Sequence, residues 1–284
     1  MSDARPSVIE TPSGKDVAYE NFPVGSWLLP RRVRPHVLCF YRFARAADDI
    51  ADNEALSAEE KIARLDRFGD ALAGREIHDS ACETAHRMRE SLAVTSVSPR
   101  HCADLLAAFK LDATKLRYRN WDDLIGYCTL SAAPVGRYLL DLHGGSRDGY
   151  AASDALCLSL QVINHLQDCR DDYLDLDRVY LPQDWMNSES ASLKALGGTH
   201  TSPQLRAVFD RMIVETRALL TIASTLPAGL ASRRLAMESG ATLAVGWRLV
   251  RLLERKDPLA HRIGLTKPSF LICGIAGALR GLVS

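Results

Sequence analysis

Neither sign of charge dominates this chain of 284 residues: Lys plus Arg number 35, Asp plus Glu number 35, and the formal net charge is zero. Nucleic-acid binders usually carry a basic excess, so no nucleic-acid partner is expected. Long hydrophobic runs are also missing. The longest uncharged apolar stretch, Phe270 to Leu279, is too short to span a bilayer. No two cysteines form a CxxC pair. The seven, at positions 39, 82, 102, 128, 157, 169 and 273, are odd in number and scattered, which reads as reduced, mostly buried thiols in the cytoplasm. Residues Met1 to Lys15 hold no apolar core, so neither a signal peptide nor a lipidation site is expected there. The glycine pairs at 144–145 and 197–198 belong to no GxGxxG or P-loop pattern, which leaves a nucleotide-phosphate loop unsupported. No useful stretch alternates with period two, and no repeat or low-complexity linker is visible. What remains is 47% hydrophobic, 25% charged and 7% aromatic, the make-up of a soluble globular protein. Length alone leaves one or two domains open, since a single core reaches about 250–300 residues.

Helical signals run almost end to end and predict an all-α chain. Pro35 starts a segment reaching about Asp52. Ser57 with Glu60 reads as a capping box opening a helix to about Ala73. The next stretches run from Asp79 to about Leu92 and, behind Ser98-Pro99, to about Lys115, with Ala93 to Ser98 as a loop. Trp121 to about His143 is closed by Gly144-Gly145 and interrupted near Pro134. One long helix is expected from Tyr150 to about Asp175, with an irregular stretch from Pro182. Further helices follow from Ser202-Pro203 to Pro227, from Leu230 to about Lys256, and behind Pro268.

Two acidic segments stand out. On a helix, Asp48 and Asp52 lie one turn apart on one face, and Asn164, Asp168 and Asp172 form a second stripe at the same spacing. Such like-charged pairs weaken a helix by roughly 0.2–0.5 kcal/mol each, so something should offset them. A solvated helix end is the plainer explanation, but acids near a helix C-terminus oppose its dipole. Both stripes also continue apolar segments, Val37 to Phe40 and Leu156 to Ile163, and buried carboxylates need a cation or hydrogen-bonded partner. Mg²⁺ fits such donors, because it takes one or two carboxylates and completes its shell with water and phosphate. Two stripes facing across a bundle would hold Mg²⁺ over a diphosphate. The lack of nearby His or Cys sets argues against zinc. Arg45 lies on the side of Asp48, placed to pair a carboxylate or a diphosphate oxygen. Arg178 and Tyr180 follow the second stripe, at the expected helix mouth.

Asp48-Asp-Ile-Ala-Asp52 and Asn164-x-x-x-Asp168-x-x-x-Asp172, with Arg178-Val-Tyr180-Leu-Pro182, resemble the two signatures of the squalene and phytoene synthase family. The resemblance runs from about Glu20 to about Lys256. It implies one all-α, prenyltransferase-type (isoprenoid synthase) domain over 1–284 around a central apolar channel, with 1–18 as a flexible segment. It also implies Mg²⁺-dependent ionisation of a prenyl diphosphate. Within the family the chain is most similar to the bacterial branch that turns presqualene diphosphate into hydroxysqualene on the hopanoid pathway. Glu20-Asn-Phe22-Pro-Val24 with Leu28-Leu-Pro30 suggests this branch. So does Gln167, where phytoene and dehydrosqualene synthases usually carry Arg, together with Asp171 in place of their Glu. Losing that cation suits an enzyme handed one diphosphate over one that joins two farnesyl diphosphates.

The resemblance implies a role for each residue. Asp48, Asp52, Asn164, Asp168 and Asp172 hold Mg²⁺ on the diphosphate, supported by Asp49. Arg45, Arg178 and Tyr180 bind diphosphate oxygens. Phe22, Tyr41 and Tyr127 match pocket aromatics that steady a passing carbocation, whereas Phe43 and Phe109 read as core. Gly246-Trp247 stands where the family often has a pocket Tyr and leaves room for a capturing water. His165 is expected to point away from the site, Cys169 to be a packed thiol, and Glu215, Glu238 and Glu254 to be solvated. Phe270 to Leu279 is expected first as a final core helix, with contact at the inner face of the membrane as the second reading; the expected setting is the cytoplasm, beside other squalene-pathway enzymes. Two other readings remain: head-to-head condensation of two prenyl diphosphates, and a non-catalytic assembly factor. The intact acidic motifs disfavour the second.

Overall fold

Nearly every apolar stretch of the chain is wound into helix in a computed structural model that describes residues 28–76 and 80–283. Phe22 and the flanking Glu20–Val24 motif lie outside the described residues, as does the segment 1–18. The chain divides into two units, the first ending at Thr114 and the second beginning at Lys115.

The first unit contains α1 (Arg34–Ala51), α2 (Ala58–Leu72), α3 (Glu83–Thr95) and α4 (Arg100–Asp112). α1 packs against the other three. Its buried face is written at helical spacing: Val37, Phe40, Phe43, Ala47 and Ile50. Phe43 is fully buried and stacks on Phe68 of α2, ring centroids 5.0 Å apart, a core residue as expected. The capping box opens α2: the Ser57 hydroxyl accepts from the Glu60 N–H at 3.2 Å, and the Glu60 carboxylate accepts from the Ser57 N–H at 2.8 Å. α3 begins later than predicted and takes in Ala93 to Thr95, so the expected loop is confined to the residues after them. It ends at Ser96 in the left-handed region, φ 57°. Ser98 accepts from the Arg100 N–H at 3.2 Å at the start of α4, which stops at Asp112, short of Lys115.

The second unit contains β1 (Arg117–Tyr118), α5 (Trp121–Ser131), α6 (Ala133–Leu142), α7 (Tyr150–Gln167), α8 (Cys169–Leu176), β2 (Val179–Pro182), α9 (Gln183–Ser188), α10 (Pro203–Ala223), α11 (Arg233–Arg255) and α12 (Lys267–Val283). α7 is its hub and packs against α5, α6, α10 and α11. The break before Pro134 falls between α5 and α6, because proline has no N–H to continue the ladder and its ring crowds the preceding turn. Gly144 closes α6 with φ 70°. Its N–H donates to the Asp141 carbonyl, and the Gly145 N–H donates to the Leu140 carbonyl. Gly136 brings α6 against α7, where a Cβ would collide with Ser153 and come within 2.7 Å of the Cys157 sulfur.

Two features depart from the predicted all-helical layout. β1 and β2 form a short parallel pair, Arg117 opposite Val179. The predicted helix from Tyr150 to Asp175 is two helices, broken at Asp168, φ −104° and ψ 5°. The break moves Asp171 and Asp172 into the first turn of α8, where negative charge is favoured by the dipole rather than opposed by it.

Candidate active site

In the first unit, the last turns of α1 carry the first acidic stripe. Arg45 reaches along its own helix to two carboxylates, Nη1 to Asp48 Oδ2 at 2.9 Å and Nη2 to Asp49 Oδ1 at 3.0 Å. Asp49 is buried, while Asp48 and Asp52 are half-buried. The Asp52 N–H donates to the Asp48 carbonyl at 2.9 Å, which fixes their one-turn separation. Crowding raises the Asp48 carboxyl to about 8: desolvation is the largest cause, then the charge of Asp52, with Asp112 and Asp49 adding to it and Arg45 opposing it. Asp112, buried at the end of α4, was not anticipated; it stands in no motif and joins the set only through packing. Tyr41, on the same helix, is half-buried.

In the second unit, Asn164 and Asp172 are half-buried and Asp168 is exposed. The stripe follows the largely buried α7, as expected, but its own polar side chains are half-buried or exposed around the bend at Asp168. Its spacing survives, since the Asp168 N–H donates to the Asn164 carbonyl at 2.9 Å and the Asp172 N–H to the Asp168 carbonyl at 2.8 Å. Gln167 donates to the Ile263 carbonyl at 2.7 Å, so the position read as a missing cation ties down the segment ahead of α12.

Beside this stripe lies an aromatic cluster. Tyr180 on β2 stacks face to face on His165 of α7, centroids 3.7 Å apart and planes 13° apart. Tyr118 of β1 and Tyr127 of α5 each lie 5.3–5.5 Å from one another and from Tyr180. All four rings are buried. His165 thus touches a candidate residue rather than pointing away, and burial pushes its imidazole down to about 3, so it stays neutral. Arg178 is also buried, 6% exposed, inside the unit rather than at an open helix mouth.

Three smaller expectations resolve. Cys169 is buried and its thiol is pushed up, chiefly by desolvation, which agrees with a packed side chain. Glu254 is exposed and pairs with Arg217 at 2.7 Å, but Glu238 is buried on α11, not solvated. Gly246 lies close to its neighbours, where a Cβ would meet Leu220 at 3.1 Å and Leu160 at 3.6 Å.

Among the described residues, no three His, Cys, Asp or Glu side chains gather into an all-protein metal cage. Mg²⁺ does not require one; it binds through one or two carboxylates and fills its shell with water and substrate phosphate. The mutual repulsion at Asp48 is a site that a divalent cation would relieve, so the donor chemistry fits.

A family model described as squalene/phytoene synthase matches residues 16–269. The chain is 44% identical over 266 residues to the hydroxysqualene synthase of Rhodopseudomonas palustris, covering 94% of this chain and 90% of that protein. It is 41% identical over 256 residues to the hydroxysqualene synthase of Sinorhizobium fredii, covering 90% and 87%. The crystal structure of a squalene synthase from Alicyclobacillus acidocaldarius superposes with a TM-score of 0.74 at 29% identity, covering 84% of this chain and 89% of that one.

Proposed function

Because this chain belongs to the squalene/phytoene synthase family and has the all-α isoprenoid synthase fold, we propose that it converts presqualene diphosphate and water into hydroxysqualene and diphosphate. The observation that carries this reading is the likeness to hydroxysqualene synthases over about nine-tenths of the chain, with both acidic motifs intact.

Asp48, Asp52, Asn164, Asp168 and Asp172, with Asp49 in support, are the donors for Mg²⁺. When bound, that ion neutralises charge on the departing diphosphate. Arg45, Arg178 and Tyr180 bind diphosphate oxygens, and their donors hold the leaving group as its C–O bond breaks and the electron pair goes with it. The stack on His165 fixes the plane of Tyr180, so its hydroxyl meets the anion in one orientation. A cyclopropylcarbinyl cation is left behind. Tyr41 and Tyr127 offer ring faces to it, each worth up to about 2 kcal/mol in a dry site. The cation rearranges, a water oxygen closes the new C–O bond, and the water loses a proton to give the alcohol.

The work takes place in the cytoplasm with peripheral contact at the inner face of the membrane. There, neighbouring squalene-pathway enzymes supply presqualene diphosphate and consume the alcohol. No helix among the described residues is long and apolar enough to cross the membrane. Turnover in water enriched in heavy oxygen tests the capture step. The label is expected in the C30 alcohol; an unlabelled alcohol, or a hydrocarbon as the main product, would overturn the proposal.

A further inference from the structure

The last helix wears its apolar face on the outside. Of eleven large hydrophobic side chains exposed among the described residues, six sit on α12: Leu271, Ile272, Ile275, Leu279, Leu282 and Val283, between 43% and 84% exposed. The other five are scattered along the chain and need no explanation. At about 100° per residue the six form one stripe about 120° wide. The opposite face starts with the half-buried Phe270 and continues with small residues, of which Gly277, Ala278 and Gly281 are buried.

Those glycines seat α12 antiparallel on α11. A Cβ on Gly277 would strike the backbone of Gly240 and Ala241, and one on Gly281 would strike Ala236 and Met237. Backbone lies directly on backbone at these glycines, so the seat on α11 does not use the six aliphatic side chains of the stripe, which stay exposed.

Charge along the segment is equally one-sided. The whole chain balances 35 basic against 35 acidic residues, yet Pro258 to Ser284 contains no acid and carries Arg262, Lys267 and Arg280. Lys267 opens the helix and Arg280 lies in its last turn, so both ends of the apolar stripe are basic. With 17 residues the helix is about 26 Å long. It is not long and apolar enough to cross a bilayer.

We propose that α12 docks this protein on an anionic phospholipid bilayer, lying in the plane of the interface with its apolar stripe among the acyl chains and its basic ends at the headgroups. The choice of a bilayer as occupant rests on the function proposed above, whose substrate and product are lipids. The α11–α12 contact then serves as a rigid mount, coupling the catalytic unit to the membrane through backbone rather than through a mobile tether.

Flotation of the full chain with phosphatidylglycerol/phosphatidylethanolamine vesicles tests this, alongside turnover of detergent-dispersed presqualene diphosphate. The parent is expected to float. A triple variant, Ile272→Ser, Ile275→Ser and Leu279→Ser, keeps the small-residue face. It is expected to lose partitioning by roughly a hundredfold, about fivefold for each aliphatic side chain no longer withdrawn from water. Its turnover in detergent and its circular dichroism should stay unchanged. A second variant, Lys267→Glu with Arg280→Glu, is expected to bind the anionic vesicles several-fold more weakly. Equal flotation of parent and triple variant would overturn the docking proposal. So would a parent that stays with the dense fraction, or a parent that is dimeric by light scattering where the triple variant is monomeric. A parent that floats but turns nothing over would leave the docking standing and overturn the proposed function.

Discussion

At Asp48 a carboxyl group is squeezed by desolvation and by its neighbour Asp52, and its proton affinity rises to about 8. The folded value lies above the ordinary 3.8, so the native state binds the extra proton between those two values. Stability from this group is therefore lost as pH rises from about 4 to about 8. On the proposed assignment, Mg²⁺ held by Asp48 would replace the proton and remove the loss. Melting temperature followed across that range without metal should fall more steeply for the parent than for Asp48→Asn, and added Mg²⁺ should flatten the parent's slope. Parallel slopes for parent and variant would contradict this account. For catalysis, Asp48→Asn and Asp168→Asn should each lower kcat/KM by about a hundredfold or more with unchanged circular dichroism. Near-parental turnover in either variant would remove that residue from the site. If Tyr180 binds the diphosphate as proposed, the His165 stack positions it, and His165→Phe, which preserves a stacking ring, should retain more activity than His165→Ala. Equal activities would mean that the stack does not orient the phenol.

Helix starts and stops follow from chemistry confined to one turn, and these were legible. Ser57 with Glu60, Ser202 ahead of Pro203, Pro134 and Gly144 act on residues within four positions, so the chain declares them directly. Ser57→Ala should cost about 1 kcal/mol in chemical denaturation. The strand pair escaped notice because two residues of β1 leave no period to detect, and its partner lies far along the chain. The bend at Asp168 has no proline or glycine to announce it. Both acidic motifs were visible as stripes, since i and i+4 share a face in any helix. Their surroundings were not: Asp112, the His165–Tyr180 stack and the burial of Glu238 depend on packing between elements. α12 shows the same divide. Its composition predicts a helix, but only the contact with α11 reveals that the small face is inward. Gly281→Val should weaken that contact by about 1–3 kcal/mol, seen as a lower denaturation midpoint. An unchanged midpoint would mean that α12 is not seated on α11 in solution.

For the molecule as a whole, balanced charge argues against nucleic acid as a partner, the family likeness runs through most of the chain, and the acidic motifs sit one in each unit. Gln167, bonded to Ile263, is neutral where the resemblance implies a cation in enzymes that join two diphosphates. The central claim is thus a choice of substrate: one presqualene diphosphate rather than two farnesyl diphosphates. Product analysis with Mg²⁺, offering the two diphosphates in separate tubes, tests it most directly. The account predicts a C30 alcohol from presqualene diphosphate and untouched farnesyl diphosphate. Consumption of farnesyl diphosphate to presqualene diphosphate would place the protein one step earlier and contradict the inference drawn from Gln167.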